Sequence, residues 1–119
     1  ERDLREKLMR LREGYVECCG APRRLRRLLA ASYSSFAPLW RACLYLLGYP
    51  VPGHDSEVTA LLCRALRLDP AVFDEVAVLA AGEPIGDPAG LFARYLREVS
   101  EAVTRIDRHA VQQTSEVTS

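Results

Sequence analysis

The 119-residue sequence predicts an all-α fold, an antiparallel bundle of about five helices. Apolar residues recur at spacings of three and four along nearly the whole chain, as one-faced helices require. Gly and Pro fall between these runs, at Gly20 to Pro22, Gly48 to Gly53, Asp69-Pro70 and Gly82 to Pro88, where helices stop and start. No stretch alternates apolar and polar residues with the period of a half-buried strand.

The first helix is read over residues 1–19. Leu4, Leu8, Leu11, Tyr15 and Cys18 step by four, three, four and three, which lays them on one face. No capping residue precedes this stripe and Glu1 is not an initiator Met, so the helix reads as cut from a longer chain. Gly20 supplies a left-handed stop, and Pro22 suits the first turn of the next helix. That second helix runs long, from Pro22 to Leu47, with Leu25, Leu28, Leu29, Ser32, Phe36, Trp40, Cys43 and Leu47 facing inward. Pro38 inside it has no N–H to offer the Ser34 carbonyl, and a kink is expected there.

Gly48 ends the second helix, and Pro50-Val51-Pro52-Gly53 makes a stiff connection. Asp55 or Ser56 caps a third helix whose apolar face is Val58, Leu61, Leu62, Ala65 and Leu66. Asp69 caps and Pro70 opens a fourth over residues 70–81, with Phe73, Val76 and Leu79 inward and Gly82 as terminator. Asp87-Pro88 repeats the device for the fifth. There Phe92, Tyr95, Val99, Val103 and Ile106 face inward, while Arg94–Glu98, Arg97–Glu101 and Glu101–Arg105 are expected to pair outside. Residues 1–110 thus make one bundle domain. Residues 111–119 lack a core face and read as a disordered tail.

Composition excludes several classes. Hydrophobic residues are 49% and charged residues 27%, globular values that argue against intrinsic disorder. The 16 basic and 16 acidic side chains cancel, but residues 1–30 carry nine basic and five acidic groups. A chain with that polarity can pair with itself or present a basic face to an anion. Cys18, Cys19, Cys43 and Cys63 form no C-x-x-C pair, and the vicinal two suit no ordinary disulfide. Reduced, structural cysteines in a cytoplasmic protein are expected. His54 and His109 have no neighbouring ligands of metal spacing, so no metal site is expected in this chain. Between Leu28 and Gly53 the only charge is Arg41, yet it falls mid-run among serines and prolines. A buried helix, not a membrane span, accounts for that run.

Few residues promise more than folding. Ser32-Tyr33-Ser34-Ser35 sets four hydroxyls in one turn of the most apolar helix, a polar notch where a ligand could sit. Arg41 and Tyr45 follow on the same helix. A guanidinium there needs water, an anionic ligand or a carboxylate, with Asp74, Glu75 and Glu98 the expected acids. Ser32, Ser35, Arg41 and Tyr45 are the candidate ligand-binding residues. Arg105 and His109, one turn apart near the end of the last helix, are a candidate pair for binding and cleaving an RNA phosphodiester. Arg23-Arg24-Leu25-Arg26-Arg27 is a basic cluster without interleaved aromatics, read as a solvated face near Glu13 and Glu17.

One resemblance covers residues 1–109. It is carried by Leu4-Arg5-Glu6-Lys7-Leu8, by Arg24-Leu25 with Leu28-Leu29, Ser32 and Ser35-Phe36, and by Arg41, Leu44, Leu46 and Gly48. Leu68-Asp69 with Phe73, and Leu91-Phe92 with Tyr95-Leu96, complete it. The pattern resembles the helical C-terminal domain that follows the catalytic domain in small bacterial nucleotidyltransferase-superfamily proteins, and the related HEPN bundles. The resemblance implies a non-catalytic module that binds substrate or dimerises, beside a nucleotidyltransferase domain in cis or in trans. Mg and nucleotide are expected only with that attached domain, since this chain has neither a Gly-Ser pair nor Asp-x-Asp. A homodimer is expected. Two alternatives accompany this reading. One is a HEPN-type ribonuclease using Arg105 and His109, although three residues separate them where the HEPN motif has four to six. The other is an adaptor or antitoxin-like bundle that docks through the first-helix stripe. Nucleic acid is the less favoured partner, and no membrane is expected.

Overall fold

The computed structural model describes residues 2–18 and 20–118, with side chains through His109; Glu1, Cys19 and Ser119 lie outside the described residues. Five helices follow in order: α1 (Arg2–Cys18), α2 (Pro22–Leu46), α3 (Asp55–Leu66), α4 (Pro70–Ala80) and α5 (Pro88–Thr118). The described residues contain no strand. The all-α bundle is therefore the observed fold.

Local chemistry sets the helix ends. Pro22, Pro70 and Pro88 each open a helix, where their missing N–H costs nothing. Asp69 caps α4 by accepting the Ala71 N–H at 3.0 Å, and Asp87 accepts the Gly90 N–H at 3.0 Å. His54, rather than Asp55 or Ser56, is the residue before α3, and its side chain makes no capping bond. Gly20, Gly48 and Gly82 stop α1, α2 and α4 at φ of 78°, 85° and 97°, a conformation that is strain-free only without a Cβ. α2 stays helical through the exposed Pro38. α5 stays helical to Thr118, so residues 111–118 of the expected tail at 111–119 belong to that helix, with side chains outside the described ones, and Ser119 lies outside the described residues.

α2 and α5 are the central pair. Each touches all the other helices, whereas among the described residues α1 meets α2 and α5 alone, and α3 and α4 pack on the other side. The α1 stripe, Leu4, Leu8, Leu11 and Cys18, is buried in the core. It is therefore not the docking face proposed for an adaptor; packing against α2 and α5 has already covered it. Tyr15 remains half-buried against Phe92, with ring centroids 4.8 Å apart. Gly14 lets α1 come close to α2, since a Cβ there would stand 2.7 Å from a Leu28 methyl.

Aromatic rings link three helices. Phe36 stacks on Trp40 in α2 at 5.1 Å, Trp40 meets Phe73 of α4 edge-on at 6.4 Å, and Phe73 meets Tyr95 of α5 at 5.9 Å. Each such pair contributes about 0.5–1.5 kcal/mol beyond its buried area. The Tyr95 hydroxyl closes the circuit by accepting the Ser32 Oγ–H of α2 at 2.9 Å.

The outer charges pair differently from the intrahelical scheme. Arg105 and Glu101 pair at 3.5 Å as expected. Arg94 instead reaches Glu75 of α4 at 2.7 Å, and Glu98 accepts the Asp69 N–H at 3.0 Å. Both contacts tie α5 to α4, a geometry that i,i+4 spacing cannot foresee. Among the described residues no ion pair joins the Arg23–Arg27 cluster to Glu13 or Glu17; Arg26 donates to the Glu83 carbonyl at 2.9 Å. Among the described residues no helix is long and apolar enough to cross a membrane.

Candidate functional site

The hydroxyl-rich turn of α2 does not make one notch with Arg41 and Tyr45. Ser32 points into the core and is committed to Tyr95, whereas Ser34 and Ser35 are exposed. Burial pushes the Tyr95 phenol up to about 12, and the Ser32 bond only partly offsets that. Ser35 accepts from Lys7 Nζ at 2.8 Å. With Lys7 and Arg10 of α1, Ser32 and Ser35 line a shallow groove of about 180 Å³ between α1 and α2.

Arg41 and Tyr45 do not line that groove. Arg41 turns to the connection after α2, donating to the Pro52 carbonyl at 2.6 Å, the Gly53 carbonyl at 3.1 Å and Asp55 Oδ1 at 2.8 Å. A carboxylate does partner it, but that acid is Asp55, not Asp74, Glu75 or Glu98. The short Pro-rich connection folds back on the helix that precedes it, and so brings Asp55 within reach. Tyr45 is 76% exposed.

A larger concavity lies elsewhere, where the ends of α2 and α3 meet α5. It is a groove of about 330 Å³ with Leu47, Ala65 and Leu66 among its walls, Tyr49 at its side, and Arg67, Arg105, Arg108 and His109 around it. Arg105 and His109, singled out by their spacing, both line it. Arg105 is already occupied: it donates to the carbonyls of Leu66 and Arg67, the latter at 2.7 Å, and pairs with Glu101. A guanidinium there caps the orphan carbonyls at the C-terminus of α3 and opposes the negative end of its dipole. Arg67 and Arg108 are exposed and have no ion pair among the described residues. His109 is half-buried, and its Nε2 is buried without a hydrogen-bond partner, an arrangement costing about 1–3 kcal/mol.

Sequence reasoning missed Arg67, Arg108 and Tyr49, since they reach the groove from separate segments. For Arg67 a signal existed. The stops after α1, α2 and α4 are glycines, and the residue after α3 is not. His54, by contrast, is exposed and lines neither groove.

The groove gathers two guanidiniums without an ion pair among the described residues, an imidazole and one aromatic ring over an apolar floor, a set of groups that suits an anion. Nucleophilic chemistry has little to work with nearby. Cys63 is buried, and desolvation, with Asp74, Glu98 and Asp69 nearby, pushes its thiol up to about 12, so thiolate is scarce. Among the described residues no three His, Cys, Asp or Glu side chains converge on one point.

Fold and groove together define a small helical bundle with a basic cleft at one end. No protein-family model, curated protein or solved structure matches this chain.

Proposed function

We propose that this chain is a non-catalytic helical binding module that takes a phosphate-bearing ligand in the groove between α2, α3 and α5. The observation that carries the reading is the convergence of Arg67, Arg108 and His109 on one cleft of about 330 Å³: among the described residues neither arginine has an ion pair, and His109 Nε2 is buried without a hydrogen-bond partner. Guanidinium forks fit phosphate oxygens in a way ammonium groups do not. The volume sits at the small end of ligand sites and suits a mononucleotide-sized molecule. This agrees with a substrate-binding bundle working beside a nucleotidyltransferase domain, which is the setting we propose, with Mg and nucleotide chemistry supplied by that partner. Dimerisation belongs to the same proposal.

The same pair, Arg105 and His109, was the basis of the ribonuclease alternative. Binding is favoured over cleavage because Arg105 spends its donors on the Leu66 and Arg67 carbonyls and on Glu101. The test is a titration of the ¹⁵N-labelled protein with 5′-AMP at low salt, followed by amide shifts. Expected are saturable shifts at Tyr49, Arg67, Arg108 and His109 that weaken as salt rises. Shifts confined to the Lys7–Ser35 groove, or none at all, would overturn the assignment. Intact mass of the native gene product and its co-purifying partners then tests for a nucleotidyltransferase domain in cis or in trans.

A further inference from the structure

Three of the helix stops are glycines at positive φ, and the fourth is Arg67 at φ 57° and ψ 49°. It is the one non-Gly residue with positive φ among the described residues. Its backbone does ordinary terminal work. The Arg67 and Leu68 N–H groups both turn back to the Cys63 carbonyl, the latter at 2.8 Å, and Leu68 is buried beyond the stop. Glycine performs that turn without the contact between Cβ and carbonyl oxygen that burdens every L-residue in the left-handed region. The one further demand on this residue, a carbonyl for Arg105, is also met by any residue type.

Inside the fold only the general preference for a cation at a helix C-terminus favours Arg here, a weak effect at an exposed site that Arg105 already supplies. The side chain is exposed, has no ion pair among the described residues, and lines the basic groove. A side chain held on a left-handed turn that glycine would make without strain points to a position kept for another purpose. We infer that Arg67 is a ligand-contacting residue of the groove, holding a phosphate oxyanion, and is retained there at the expense of helix-end stability. The inference rests on the binding reading above and deepens it: the contacted group is the phosphate itself, whether of a free nucleotide or of a nucleic-acid strand. Arg108, which approaches from α5, supplies the second guanidinium.

The experiment compares wild type with Arg67→Gly, Arg67→Ala and Arg67→Lys, each by thermal melting and by titration with inorganic phosphate, 5′-AMP and a short oligothymidylate. Arg67→Gly suits the native turn, so folding is not at issue. Its Tm should rise by about 2–5 °C, while affinity for the phosphate probes falls roughly tenfold or more. Arg67→Ala should lose the affinity without gaining stability, and Arg67→Lys should keep part of the affinity. Whichever probe binds tightest identifies the source of the phosphate. If Arg67→Gly is more stable but binds like wild type, Arg67 touches no ligand; the inference fails while the groove reading stands. If Arg67→Gly loses affinity without a rise in Tm, the trade against stability is wrong. If wild type binds none of the three probes, both readings fall.

Discussion

At the residue scale, the bond between Ser32 and Tyr95 shows how one hydroxyl in an apolar helix is put to use. Tyr95 is fully buried against the Phe73 ring, and its phenol needs a polar neighbour; Ser32 supplies it. Tyr95→Phe leaves Ser32 Oγ without its acceptor and should cost about 1 kcal/mol at pH 7. The pH dependence reverses that order. Burial holds Tyr95 protonated up to about 12, while in the unfolded chain it ionises near its usual value of 10.0. Below pH 10 both states keep the proton and the difference is silent. Between pH 10 and 12 the unfolded chain binds fewer protons than the fold, so wild type loses stability as pH rises, by about 1.4 kcal/mol per pH unit. Tyr95→Phe lacks that loss. Urea unfolding at pH 7, 10 and 11.5 should show the mutant weaker at first, then level with wild type or better. A gap independent of pH would mean that Tyr95 is solvated.

At the element scale, the helix boundaries that were legible rest on residues with one local role; the start of α3 after His54 and the run of α5 to Thr118 carry no such marker. Pro22, Pro70 and Pro88 each follow a stop or cap and suit the first turn, Asp69 offers a carboxylate to the first turn, and Gly20, Gly48 and Gly82 supply left-handed stops. Local chemistry of this kind survives any tertiary arrangement. The partners of Arg41 and Arg94 were not legible, because they depend on how elements come together: Arg41 on the fold-back of residues 52–55, Arg94 on where α4 lies against α5. The groove was illegible for the same reason, since Tyr49, Arg67 and Arg108 meet only once α2, α3 and α5 are packed. Asp69→Ala tests the local part. Losing the bond to the Ala71 N–H should cost about 1 kcal/mol, and Asp69→Asn, which keeps an acceptor, should recover most of it. Equal losses in the two variants, measured by urea unfolding, would show that the cap is not what Asp69 contributes.

For the whole molecule, the question is whether charge or apolar burial joins α1 to the rest, since the chain is polarised between its basic first 30 residues and its acidic remainder. The polar links are real but exposed. Arg5 donates to Asp107, with Nε at 2.9 Å; Arg12 donates to Ser100 at 3.0 Å, and Lys7 to Ser35 at 2.8 Å. Exposed ion pairs contribute about 0–1 kcal/mol and fade with salt. The apolar seam is stronger. Leu4, Leu8, Leu11 and Cys18 are all buried, and each buried leucine contributes about 1.5–3 kcal/mol. Leu11→Ala should therefore cost about 2–5 kcal/mol, whereas Arg5→Ala, or melting wild type in about 1 M salt, where charges are screened within some 3 Å, should move stability by less than about 1 kcal/mol. Near-equal effects of Leu11→Ala and Arg5→Ala would reverse the ranking. α1 would then be held by electrostatic complementarity, and its attachment would respond to ionic strength rather than to packing.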